Sequence, residues 1–360
     1  MDLADLATLR GPFATVYLTT RSDIPQAGAE LGTRWKSVRR GLEDQGASGE
    51  VLAALDGALD AADHAAGSTL ALVATDAGVV VEAHLPDPPR ADAGWLGELP
   101  RLATLIEARQ RQLPHLLVLA DRTGADLFGV TASGRSIVIE AGDGDAENVQ
   151  KVVSGGWSQR RIQQRAVNTW EENAGEVAED AARLAKRIDA RLVLVGGDVH
   201  AVRFLEDALP KDIRPLVREI DGATRHPDGG ADHVVDDVQR LVETVVATET
   251  AELLAAFKEE RGQGDRAADG PARVIESLQW AKVQTLLVHD DPEDVRTAWF
   301  GPEPLQVGID EATVRAMGVD EPREGRSIDV CIRAALGSGA EVRIVPGAVL
   351  DRNLGAVLRF

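Results

Sequence analysis

The chain of 360 residues contains a single cysteine, Cys331. That excludes an intrachain disulfide and a zinc site built on cysteines, and it fits a reducing compartment. Positive charge is also scarce: 39 Lys and Arg stand against 59 Asp and Glu, a formal net charge of −20. A histone-like basic coat is excluded, as is attachment to an anionic membrane by net charge, and DNA is not an expected partner. Any nucleic-acid contact needs a local basic patch on an acidic body. No apolar run approaches the roughly 18 residues of a membrane span. The opening MDLADLATLRGPF has neither a basic start nor a long apolar stretch, so no leader is expected and a cytoplasmic location is. No internal repeat or low-complexity tract is present.

Strands and helices alternate along the sequence, which predicts an α/β fold with some parallel pairing. FATVYLTT (13–20), STLALVAT (68–75) and GVVVEAHL (78–85) read as strands, and 31–59 as helix interrupted near Gly46–Gly49. A second set follows: strands at 115–122, 125–131 and 136–142, a helical pattern from Ile162 to Ile188, the buried-type strand RLVLVGG (191–197) and the helix VHAVRFLEDAL (199–209). After a linker-like DGATRHPDGGAD come a long helix over 232–260 and a helix over 271–281 with Pro271 in its first turn. Strands at 283–291 and 341–347, a helix over 327–340 and a closing strand within 350–360 complete the pattern. At about 150 residues per domain the length holds two to three domains. Boundaries near 112 and 223 predict an N-terminal α/β domain (1–112), a central domain (113–222) and a C-terminal α/β domain (223–360).

The strongest local signal is Gly155-Gly156-Trp157-Ser158-Gln159-Arg160-Arg161. Paired glycines open torsions closed to other residues. From Lys151 to Arg165 the segment is basic and holds no acid, a reversal of sign in an acidic chain. Arginine and tryptophan together suit phosphate contacts and base stacking; a plain loop leading into an arginine-bearing helix fits the same residues. A second basic window, LGTRWKSVRRGL, carries Arg34, Lys36, Arg39 and Arg40, with Lys36 and Arg40 on one helical face. It reads as an RNA-contacting face or as a solvated one. LVGGDVHAV lacks the residues of a P-loop and the GxGxxG spacing, and reads as a tight strand–helix turn. His226, Asp228, Asp232 and His233 lie in the linker without metal-site spacing, and Cys331 reads as a core thiol. There is no GxSxG. No cofactor and no metal are expected.

With these residues in place, the layout resembles the archaeo-eukaryotic peptide-chain release factor and Pelota superfamily, and within it the bacterial branch of Balon-like ribosome hibernation factors. HLLVLADRTGADLFGV, GGWSQRR, the following polar helix and RLVLVGG carry the likeness in the centre; VIESLQWAKVQTLLVHDD and LGAVLRF carry it at the C-terminus. The resemblance implies a three-domain release-factor-like architecture of mixed sheets flanked by helices. It implies a tRNA mimic in the ribosomal A site, active in hibernation or rescue, touching rRNA near the peptidyl transferase centre. Lys151, Trp157, Ser158, Gln159, Arg160, Arg161 and Arg165 would then contact RNA, joined by Arg34, Lys36, Arg39 and Arg40. Elongation factor Tu, which delivers some relatives, is an implied partner. Gly155 and Gly156 match the family's two glycines, but Trp157 and Ser158 stand before Gln159, a departure from the family's hydrolytic motif. Two alternatives stay open: a peptidyl-tRNA or tRNA hydrolase using Gln159, and an acidic, stress-related protein-interaction module with no RNA role.

Overall fold

The computed structural model describes residues 3–20, 27–61, 68–121, 124–132, 136–141, 150–151, 170–221, 231–264 and 266–360. The first elements are α1 (Leu3–Leu6), β1 (Phe13–Thr19), α2 (Ala27–Asp44), α3 (Gly49–Ala61), β2 (Thr69–Thr75), β3 (Gly78–Leu85), β4 (Ala93–Gly97) and α4 (Ala103–Arg111). The strands form an antiparallel sheet in the order β3–β2–β1–β4. Successive side chains of a strand point to opposite faces, and here both faces are covered. Ala14, Val16 and Leu18 of β1 pack with Leu31, Trp35, Val38 and Leu42 of α2 and with Leu52 and Leu55 of α3. Phe13 and Tyr17 enter a cluster on the opposite face with Leu102 and Leu105. This two-sided burial leaves β1 buried up to Thr19 and β2 buried throughout, with no charged residue in either. The reading of the sequence omits β4. Its AGWLG has weak strand character alone and is recruited by pairing with β1, Phe13 opposite Gly97.

The middle of the chain holds β5 (His115–Asp121), β6 (Gly124–Val130), β7 (Ser136–Ala141), β8 (Gln150–Lys151), α5 (Trp170–Arg187), β9 (Leu192–Gly197), α6 (Val199–Ala208) and β10 (Val217–Glu219). The sheet runs β10–β9–β5–β6–β7–β8. β5, β9 and β10 are parallel, while β5 to β8 form an antiparallel meander. Leu116, Val118, Val193 and Val195 face α5 and α6. Leu117, Leu119, Leu192 and Leu194 face the other way, onto Val234, Val238 and Val242 of α7 (Ala231–Gln263). The result is a three-layer sandwich, with each fully buried Leu or Val contributing about 1.5–3 kcal/mol.

The remaining elements are β11 (Ala267–Asp269), α8 (Pro271–Gln279), β12 (Val283–Val288), β13 (Thr297–Phe300), β14 (Val307–Gly308), α9 (Glu311–Ala316), β15 (Arg323–Arg326), α10 (Ser327–Gly337), β16 (Glu341–Ile344) and β17 (Leu354–Leu358). They build a mixed sheet, β11–β17–β12–β16, and a small sheet, β14–β13–β15.

The sequence predicts separate N- and C-terminal domains, whereas by contact the chain divides into two compact units, one of residues 1–108 with 250–360 and one of 109–249. In the first unit a single apolar cluster contains Leu6, Phe13 and Leu105 together with Val274, Ile328 and Ile332. Arg333 of α10 reinforces it from within. It is 6% exposed and donates to the carbonyls of Ala7, Gly301, Pro302 and Glu303. Sequence periodicity reports which residues are apolar, and it is silent on which distant apolar faces meet.

Candidate functional site

The central sheet sets the anchors of the glycine-rich segment. Lys151 of β8 pairs with Ile137 at the start of β7. β5 and β9 start at that same end of the sheet, where His115 pairs with Leu192. α5 finishes there too: after it Ala190 bonds back to Ala185, and the Arg191 amide bonds to the Pro114 carbonyl (2.8 Å). A helix of 18 residues is about 27 Å long at about 1.5 Å per residue, so Trp170 begins α5 at the opposite end. The chain thus leaves the sheet at one end and re-enters the fold at the other. Gly155, Gly156, Trp157, Ser158, Gln159, Arg160, Arg161 and Arg165 fall between these anchors and lie outside the described residues, as do residues 162–169 of the expected helix.

α5 is amphipathic in the way an anchoring helix requires. Val177, Ala178, Ala181, Leu184, Ala185 and Ile188 are buried against the sheet. Lys186 and Arg187 occupy the last turn, where cations complement the helix dipole, and the Lys186 ammonium pairs with Asp212 at 2.9 Å. That pairing, through its hydrogen bond, holds the Asp212 carboxyl below its usual range. At the carboxyl end of β9, Asp198 caps α6 and accepts from the amides of His200 (3.0 Å) and Ala201 (3.3 Å). Its own carboxylate therefore occupies the helix N-terminus, in keeping with a structural turn at LVGGDVHAV. Glu206 on α6 stands beside Glu219 on β10; burial first, then the charge of Glu219, push the Glu206 carboxyl up. His115 bonds to the Leu113 carbonyl (2.8 Å), and burial holds its pKa down.

The second basic window divides in two. Trp35 is buried and donates from Nε1 to Asp56 Oδ1 (2.7 Å), so its ring belongs to the core and is not a stacking surface. Arg39 donates from Nε to the same carboxylate (3.2 Å) and pairs with Glu43; the Asp56 hydrogen bond raises its pKa. Arg34 donates to the Thr19 carbonyl (3.2 Å) and lies 3.6 Å from Asp92. Lys36 and Arg40 are exposed, one turn apart, and have no carboxylate partner among the described residues.

The match to known proteins falls on the central fold. The model of bacterial archaeo-eukaryotic release factor family 2 matches residues 114–263, the span that holds the central sheet, both anchors and α7. In its central part the chain is similar to the bacterial branch of the archaeo-eukaryotic release factor and Pelota superfamily. Among similar proteins, the uncharacterized protein Rv2629 of Mycobacterium tuberculosis is 29% identical over 99% of this chain and 95% of its own length. Peptide chain release factor subunit 1 of Methanopyrus kandleri is 28% identical over 42% of this chain and 37% of its own. Pelota of Archaeoglobus fulgidus, a solved structure, covers 81% of this chain and 79% of its own with 17% identity and a TM-score of 0.32. The chain is mixed α/β, as the sequence predicts; among the described residues two sheets are mixed, two are antiparallel, and helices flank them.

No group of residues that could hold a metal occurs among the described residues, and none of their helices is long and apolar enough to cross a membrane. His226 and Asp228 lie outside the described residues, and His233 is exposed on α7. Two charged side chains that the sequence reading passes over, Asp329 and Arg333, are buried in α10. Their signal was present as charge inside the apolar run SIDVCIRAALG.

Proposed function

We propose that this protein is a translation factor that binds the ribosomal A site and acts in hibernation or rescue as a tRNA-shaped body. The family match over residues 114–263 carries the reading, because the matched span contains GGWSQRR and the two elements that anchor it. The relative named peptide chain release factor subunit 1 supports a role in translation. In this reading Lys151, Trp157, Ser158, Gln159, Arg160, Arg161 and Arg165 meet rRNA, with Gly155 and Gly156 allowing close approach of the backbone. Lys36 and Arg40 offer a second phosphate contact, while Arg34 and Arg39 hold the helix that presents them. An acidic body limits non-specific RNA binding and leaves surface for a delivering protein such as elongation factor Tu. Two residues, Trp157 and Ser158, separate Gln159 from the glycine pair, so occupancy of the A site, rather than ester hydrolysis, is the expected activity.

The test is co-sedimentation with 70S ribosomes followed by cryo-electron microscopy of the complex. Density in the A site with residues 155–161 near the acceptor end of the tRNA position is the expected result. Binding is expected to weaken steeply with salt, and Arg160→Glu with Arg161→Glu to flatten the salt dependence by about two phosphate contacts. A protein that stays at the top of the gradient at low salt refutes the reading. Peptidyl-tRNA cleavage that is lost in Gln159→Ala while binding persists would establish the hydrolase instead.

A further inference from the structure

We propose that the carboxyl of Asp329 is a proton-operated clasp: protonated, it tightens residues 3–9 and 100–102 against α10, and ionised, it loosens them. The clasp lies wholly within the unit formed by residues 1–108 and 250–360. Asp329 is 5% exposed, and its Oδ1 has no hydrogen-bond partner among the described residues. It lines a small cavity with Leu6, Ala7, Pro100 and Leu102 of the N-terminal segment and with Arg333 and Leu336 of its own helix. An ionised carboxylate at such a wall is costly unless its charge is compensated.

The compensation on offer is partial. Arg326, at the junction of β15 and α10, approaches Oδ1 only to 3.8 Å, and its Nη2 is committed to Asp290 Oδ1 (2.8 Å) and to the Asp291 carbonyl (2.8 Å). Arg101, just before α4, adds attraction at longer range, and Asp290, just after β12, adds repulsion. Arg333 shares the cavity, but four of its five N–H donors go to carbonyls. Asp329 is the third residue of α10, where the helix dipole favours an anion. Burial outweighs these attractions and pushes the carboxyl up to about 7. Because the folded value exceeds the unfolded one, the contribution to stability is complete below about pH 4, the ordinary carboxyl range, and is lost as the pH rises through about 7. The contacts that respond are the buried Leu3, Leu6 and Ala7 and the bond from Arg333 Nε to the Ala7 carbonyl (2.9 Å).

The experiment compares the full chain with Asp329→Asn at pH values of about 5 and about 8, reading hydrogen exchange of residues 3–9 after correction for intrinsic rates, together with urea unfolding of the same samples. In the wild type the opening equilibrium of residues 3–9 should rise about ten- to a hundredfold between the two pH values. In Asp329→Asn it should stay nearly flat. Parallel pH profiles in the two proteins overturn the proposal. Carbon-detected NMR of the wild-type carboxyl decides the matter independently if Asp329→Asn does not fold: a midpoint near 7 supports the clasp, and one near 4 overturns it.

Discussion

The same chemical change, glycine to alanine, should act with opposite sign at two positions of the central unit. β9 ends in Gly197, whose φ is +133°, a conformation that L side chains rarely adopt. A Cβ built there would lie 1.8 Å from the Ala120 carbonyl oxygen and 2.8 Å from its carbon. Gly197 is paired with Ala120 in the parallel ladder, and the Ala120 carbonyl also accepts from the Asp198 amide at 3.0 Å. Separating the strands to admit a methyl breaks that bond, worth about 1 kcal/mol. Holding a non-glycine residue at positive φ adds about 1–3 kcal/mol. Gly197→Ala should therefore destabilise the central unit by roughly 3 kcal/mol, the sum of those two costs. Gly175, in contrast, is an exposed residue inside α5 with nothing within 4 Å of its would-be Cβ. Gly175→Ala should stabilise by about 0.5–1 kcal/mol, because alanine loses less backbone entropy in a helix. Urea unfolding of the full chain, with hydrogen exchange of the β5 and β9 amides as the local readout, measures both. A Gly197→Ala cost below about 1 kcal/mol, within the range of ordinary substitutions, or a destabilising Gly175→Ala would refute the reasoning.

Asp56→Ala should cost about 1–3 kcal/mol in chemical denaturation, because it leaves the buried Trp35 indole N–H without its acceptor. Cys331 is buried, and burial followed by the charge of Asp329 pushes its thiol up to about 12, so a thiol reagent at neutral pH should label it only after unfolding. Lys36→Glu with Arg40→Glu should change stability by no more than about 0.5 kcal/mol, since both side chains are exposed and have no carboxylate partner among the described residues, and should weaken ribosome binding in a pelleting assay.

Local pattern was sufficient for the elements whose burial is complete along their own length. The run at 13–20 and the buried strand after Arg191 are legible because both faces of each strand are covered, so neither contains a charged residue. α7 is legible by its length, and α8 by Pro271 at its start. The short strands β4, β10, β11, β13, β14 and β15 are not, because pairing with a neighbour, rather than their own composition, makes them strands. For the candidate site, the sequence by itself determined which residues carry the reversal of charge and the paired glycines, since charge and torsional freedom belong to residue types. Tertiary structure decided which of the second window's cations meet a carboxylate: Arg34 and Arg39 meet Asp92 and Asp56 only because α2 packs beside those partners, while Lys36 and Arg40 stay exposed. It also decided that residues 1–108 and 250–360 share one core, and so that Asp329 is buried beside Leu6 and Ala7. The physical reason is one of range. Backbone preference and periodicity act over a few residues, whereas desolvation and charge pairing depend on whichever distant segment closes over the side chain.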